Sequence, residues 1–165
     1  MDKREFWRLV EASRDDGRDF DQPKALQRLL EELPEKEIVE FDRIFSELHR
    51  SGYRWDLWGA AYIIGEGCGD DAFSDFRAAL IGMGRETYDR ALEDPETLSE
   101  LPSKGVEFWQ EALGSAAARA YKVVTGRDMQ RRRHESSDEP IGKRWLEGDL
   151  PRLFPRISAK FRGES

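Results

Sequence analysis

The chain has 165 residues, 38% hydrophobic and 37% charged, with a formal net charge of −7 and a single cysteine. That length suits one domain with its own core. The lone cysteine excludes an internal disulfide or a Cys-rich zinc site, and no apolar run approaches the ~18 residues of a membrane span. Residues 127–165 hold ten Lys/Arg against seven Asp/Glu, while residues 1–126 hold seventeen against twenty-seven, so an acidic body opposes DNA binding and leaves only the tail to be weighed for RNA.

Asp2 reads as the N-cap of a first helix running to about Asp16, with Phe6, Trp7, Leu9 and Val10 inward and Gly17 as its stop. Asp21 and Pro23 open a second helix, whose Ala25, Leu26, Leu29, Leu30 and Leu33 recur at helical spacing until Pro34. A third is expected from Glu35 to Arg50, with Ile38, Phe41, Phe45 and Leu48 on one face and Gly52 after it. Residues 55–64 are apolar almost all round, which marks a central helix, and Gly59-Ala60-Ala61 invites close approach by a neighbour. After the turn Gly65-Glu66-Gly67-Cys68-Gly69-Asp70-Asp71, a helix capped by Gly69 or Asp70 carries Phe73, Phe76, Leu80 and Met83 to Gly84. These two helices are expected to be antiparallel partners.

Residues 85–93 read as a short helix, and Asp94-Pro95-Glu96 opens one or two further turns to Leu101. Ser103 is placed to cap a long helix reaching Thr125, with Phe108, Trp109, Ala112, Leu113, Ala116, Ala120 and Val124 as its core stripe. Periodicity then stops. The expected organisation is a helical core over 1–126, an exposed charged loop over 127–143, and a C-terminal arm over 144–165 that packs on the core; Pro151 and Pro155 argue against a single long helix in that arm. The fold class is all-α, a single-domain irregular bundle of about six to eight helices with a docking arm.

The glycine-rich acidic turn draws attention because three glycines let a ligand approach the backbone while Glu66, Asp70 and Asp71 gather carboxylates. Capping and helix stopping explain the same residues. The turn has no lysine, so it is not a phosphate-binding loop, and its spacing does not fit a calcium loop. No metal or cofactor is expected. Cys68 reads as a packing residue, since acidic neighbours disfavour a thiolate and His49 and His134 are distant in sequence. Trp55, Trp58 and Tyr62 form a helical stripe better suited to the core than to a planar ligand, and Arg77 and Arg85 are expected in ion pairs.

The block Trp55-Asp56-Leu57-Trp58-Gly59-Ala60-Ala61-Tyr62-Ile63-Ile64, followed by Gly67-Cys68-Gly69-Asp70-Asp71-Ala72-Phe73-Ser74-Asp75-Phe76-Arg77, resembles an uncharacterised, actinobacteria-rich family, domain of unknown function 4240. Phe6-Trp7, Gly84-Arg85 and Asp94-Pro95 extend the resemblance over roughly residues 1–126. The family's turn is of the type Asn-Gly-Gly-Cys-Ser-Asp-Asp, so no role for its asparagine or serine side chain transfers to this chain. The resemblance implies a bacterial helical domain and brings no activity with it.

Two readings of function follow. The first is a cytoplasmic, non-catalytic protein-interaction or regulatory protein, immunity-like in the sense of neutralising a basic partner; charge asymmetry and the lack of a catalytic set favour it. Its partner is a protein, with no role for a membrane or DNA. The second is a small-molecule binder or enzyme whose pocket at the 65–77 turn draws on Trp58, Tyr62, Asp70, Asp71, Arg77 and Arg85.

Overall fold

Helix ends are fixed by the residues that satisfy their unpaired backbone groups. Asp2 accepts from the Glu5 N–H at 2.8 Å and Asp21 from the Lys24 N–H at 3.1 Å, opening α1 (Lys3–Ala12) and α2 (Gln22–Glu31). The computed structural model describes residues 1–14, 21–102, 106–131 and 139–162. The expected stop at Gly17 and cap at Ser103 lie outside these residues, as does the middle of the charged loop, including His134.

The next helices are α3 (Glu35–Ser51), α4 (Trp55–Ile64), α5 (Asp70–Gly82) and α6 (Arg85–Glu93), followed by a 3-10 segment, Pro95–Glu100. A second 3-10 segment, Glu111–Ser115, leads into α7 (Ala116–Thr125). A third, Glu147–Asp149, precedes α8 (Leu150–Leu153) and α9 (Pro155–Phe161). The protein is all-α. Among the described residues the only strand-like feature is a parallel bridge between Arg54 and Ile141. No helix among them is long and apolar enough to cross a membrane.

The first core layer forms where α7 lies against α2 and α3, its Ala116, Ala117 and Ala120 being small enough for close packing. Phe6 of α1 stacks on Phe41 at 4.5 Å between ring centroids, and the buried Tyr88 hydroxyl donates to the Leu48 carbonyl at 2.6 Å. A second layer is a run of near-parallel rings through α4, α5 and residues 106–110. It proceeds from Trp55 to Trp58 (5.3 Å), Phe73 (4.9 Å), Phe76 (6.4 Å) and Phe108 (6.0 Å). Trp145 meets Trp55 edge-on, and Phe161 meets Phe108 in the same way. The aromatic stripe on α4 is therefore occupied by its own neighbours.

The long helix expected up to Thr125 is instead two elements behind an irregular lead. Phe108 and Trp109 both pack on Phe76, Trp109 at 5.5 Å, and the Gln110 N–H donates to the Asp75 carbonyl at 3.3 Å. Consecutive helical residues diverge by about 100°, so a helix would separate the two rings. Gly114 and Ser115 add weak helix propensity just ahead of α7.

The pairing of α4 and α5 also differs in emphasis. α4 packs chiefly on α9 and Pro95–Glu100, while α5 packs on α3 and Glu111–Ser115. The neighbour that Gly59 admits is the C-terminal segment: a Cβ there would lie 2.7 Å from Phe154 Cε2, 3.0 Å from Trp145 Nε1 and 3.1 Å from Leu150 Cδ2. Trp145 Nε1 donates to the Trp55 carbonyl at 2.6 Å.

The cap of α9 comes from elsewhere in the chain. Phe154, at its N-cap, has no side-chain oxygen to offer, and the buried Glu96 carboxylate accepts instead from the Arg156 and Ile157 N–H groups at 2.9 and 3.0 Å. At the other end of the helix, Arg162 donates to the Tyr62 and Ile63 carbonyls, two of the last in α4.

Candidate functional site

α5 begins from a tightly fixed turn. Glu66 (φ 53°) and Gly67 (φ 119°) take left-handed conformations, the Gly67 N–H donates to the Tyr62 carbonyl at 2.8 Å, and Trp58 Nε1 donates to the Cys68 carbonyl at 2.8 Å. Gly69 occupies the N-cap position without a side-chain cap bond, which makes Asp70 the first helical residue rather than the cap. Its carboxylate is exposed, as is that of Asp71.

Helical spacing then places Asp70, Ser74 and Arg77 along one stripe of α5, and Asp71, Asp75 and Ala78 along the next. Opposite them stand Asp42, Phe45, Ser46 and His49 of α3. A cleft of about 1450 Å³ lies between, with Tyr53 and Trp58 near Asp70 and Glu111, Gly114 and Ser115 beside Asp75. Arg131 lines it as well, donating to Asp42 and to the Gly114 carbonyl at 2.9 and 2.8 Å.

Charge in this cleft is unevenly compensated. Burial holds the Asp42 carboxyl above the usual range, against the opposing effect of Arg131. Asp75 is also raised, by partial burial first and then by the negative charges of Glu111 and Asp71. Among the described residues, Asp70, Asp71, Asp75 and Glu111 take part in no ion pair, whereas Arg131 is bound to Asp42, and Arg50, which also lines the cleft, is not free.

Arg77 is 8% exposed, and the ion pair expected for it is not what holds it. Its Nη1 donates to the His49 carbonyl at 2.9 Å and its Nε to the Phe73 carbonyl at 3.4 Å. The guanidinium carbon sits 4.8 Å from the centroids of both the Tyr53 and Phe73 rings. Gly52 leaves room for the aliphatic stem, since a Cβ there would lie 3.4 Å from Arg77 Cδ. Desolvation lowers the Arg77 pKa, while Tyr53, Asp70, Cys68 and Tyr88 counter that effect.

His49 Nε2 lies 2.9 Å from the Ser74 carbonyl and 3.3 Å from Ser74 Oγ. A carbonyl oxygen can only accept, so the ring donates from Nε2, and His49 cannot take a proton from Ser74 there. Burial and the nearby Arg77 push the His49 pKa down to about 4. Burial pushes the Cys68 thiol up to about 11, which leaves it a packing residue at neutral pH. Among the described residues no three His, Cys, Asp or Glu side chains are grouped to hold a metal ion.

Of the six residues proposed from sequence, Trp58, Asp70, Asp71 and Arg77 line this cleft. Tyr62 and Arg85 lie elsewhere. Tyr62 packs on Trp145 at 5.3 Å and near Arg162, and Arg85 pairs with Asp89 at 3.5 Å while its N–H donates to Glu11. His49, Asp42, Glu111 and Arg131 were not legible as site residues. The polar set Asp42–Ser46–His49, interleaved with the apolar stripe of α3, was the available signal for the first two.

Searches of the curated proteins and of the solved structures gave no match. The family comparison is positive and takes in both helical walls of the cleft, but not Arg131 or the segment that fills Gly59. Residues 1–123 match the family described as Protein of unknown function (DUF4240), and the chain belongs to it.

Proposed function

We propose a cytoplasmic, non-catalytic binding module whose cleft between α3 and α5 receives a positively charged segment of a partner protein, in keeping with a regulatory or immunity-like role. The observation that carries this reading is the carboxylate wall of Asp70, Asp71, Asp75 and Glu111, which has no ion-pair partner among the described residues and borders an open cleft of about 1450 Å³. Small-molecule pockets usually measure about 300–1,000 Å³. A wider acidic groove suits a length of polypeptide, and a cation entering it offsets the partial burial and the mutual repulsion that together raise Asp75.

The small-molecule enzyme reading is less well supported, because the described residues of the cleft offer no nucleophile with a base in reach. The His49 Nε2 proton is committed to a carbonyl, and the Cys68 thiol is held protonated.

The test is fluorescence anisotropy with a labelled peptide of alternating lysine and glycine, set against one of alternating glutamate and glycine. The lysine peptide should bind selectively, weaken as salt passes about 0.1 M, and lose about tenfold in affinity in the double variant Asp71→Asn/Asp75→Asn. Equal binding of the two peptides, or an unchanged affinity in the variant, sinks the proposal.

A further inference from the structure

The cleft wall formed by α5 is not uniformly acidic, and its exception is the better constructed group. A guanidinium has five N–H donors. Arg77 gives one from Nη1 to the His49 carbonyl and one from Nε to the Phe73 carbonyl, and two rings fix its plane. Among the described residues nothing accepts from Nη2, and no carboxylate lies in ion-pair range. The one sealed side-chain polar atom without a partner among them is Ser158 Oγ, so Nη2 keeps some exposure, and Arg77 is one of the residues that line the cleft. A buried cation without a counter-ion is costly, and an arriving anion removes that cost.

We propose that Arg77 forms an anion subsite at one end of the cleft. The ligand, on the cationic-segment reading above, is then bipolar: it carries a carboxylate for Arg77 and a lysine or arginine for the Asp70–Asp71 end. The guanidinium turns back against the Tyr53 ring, itself beside Asp70, so the two charges of the ligand are spaced within the ~10 Å of backbone that six or seven residues of α5 span. The planar fork matches a carboxylate in two parallel hydrogen bonds. A phosphate dianion fits poorly, because Asp70, Asp71, Asp75 and Glu111 share the same cleft and repel the second charge. The carboxylate comes either from a chain terminus or from an aspartate or glutamate side chain, and Arg77 treats both alike.

The experiment is an NMR titration of the full chain with four acetylated peptides: Lys-Lys-Gly-Ala with a free C-terminus, the same peptide amidated, amidated Lys-Lys-Gly-Asp, and Gln-Gln-Gly-Ala with a free C-terminus. The Arg77 Nε–H and Trp58 indole resonances are the reporters. The free acid should bind at least fivefold tighter than its amide and should move the Arg77 resonance, which the amide leaves in place. The aspartate peptide recovers the gain if a side chain can supply the carboxylate; if it binds like the plain amide, the subsite takes a chain terminus. In Arg77→Met the acid and amide should bind equally. If that variant does not fold, the acid-to-amide ratio on the native chain decides by itself. Equal affinity of acid and amide for the native protein overturns the anion subsite and leaves the cationic-segment reading standing. A Gln-Gln-Gly-Ala acid that binds as tightly as the lysine acid overturns the cationic reading and leaves the subsite standing. Failure of every peptide to bind overturns both.

Discussion

Two buried charges, Glu96 and Arg77, are each 8% exposed, and they are treated in opposite ways. The Glu96 carboxylate accepts from two backbone N–H groups at the start of α9 and from Arg156 Nε at 3.3 Å, so both oxygens and the charge are answered within the chain. Arg77 has two carbonyls and two ring faces, but among the described residues no anion. A buried charge whose partners are complete is an architectural joint. One whose partners are only polar and aromatic is positioned without being neutralised, and that difference separates the packed C-terminal face from the open cleft.

The comparison is broken most directly at Glu96. Glu96→Ala leaves the Arg156 and Ile157 N–H groups without acceptors at the start of a helix whose own cap residue is a phenylalanine. The expected loss is about 3 kcal/mol, taken from hydrogen bonds to a charged group, or about 10 °C in Tm by calorimetry. A loss below about 1 kcal/mol would mean that α9 is held by Leu150, Phe154 and Ile157 alone. The next effect belongs to the same face. Gly59→Ala gains helix propensity but drives a Cβ to 2.7 Å from Phe154 Cε2, so a net loss of about 1–2 kcal/mol is expected in urea unfolding. A gain in stability would show that the C-terminal segment sits loosely on α4.

These joints also mark what the sequence could and could not disclose. The bounds of α3, α4 and α5 were readable because Pro34, Gly52, Gly65 and Gly84 act on their own neighbours, and a local cause leaves a local trace. Glu96 reads in sequence as an ordinary first-turn acid; its role depends on a helix sixty residues later. Gly59 announces a close approach without saying by what. The break before α7 was hidden because Ala112, Ala116 and Ala120 keep helical period, while the competing demand, two adjacent rings on Phe76, comes from another helix. The cleft was half legible for the same reason: α5 supplies Asp70, Asp71 and Arg77 in one visible run, but His49 and Glu111 reach it only through tertiary packing.

On the cleft side, acid should act through His49. Its pKa falls from 6.5 in the unfolded chain to about 4 in the folded one, so between those values the unfolded state binds the extra proton. The His49 contribution is thus fully present above pH 6.5, declines as pH falls, and levels off below about 4. Between pH 6.5 and 5.5 it amounts to about 1 kcal/mol. In His49→Gln, whose amide can still donate to the Ser74 carbonyl, urea denaturation across that window should lack this component. Equal pH dependence of the two proteins would show that His49 can protonate within the fold, and so that the surroundings of Arg77 tolerate a second cation.

The smallest effect is the most discriminating. Arg77→Met removes a charge that burial disfavours and keeps an unbranched stem that can lie between Tyr53 and Phe73. The Phe73 carbonyl retains its place in the α5 backbone ladder, so the His49 carbonyl is the acceptor that loses its donor. The lost hydrogen bond and cation–π contacts oppose the relief of desolvation, and a net change within about 1 kcal/mol is expected by urea denaturation. Charge removal at Glu96 and at Arg77 would then differ by more than 1 kcal/mol at equal burial. If Arg77→Met instead costs as much as Glu96→Ala, Arg77 is a joint like Glu96, tying α3 to α5, and its remaining donors serve the fold. If the cost is small, stability does not account for a guanidinium held between two rings at the edge of an acidic cleft, and its retained charge points outward to what the cleft receives.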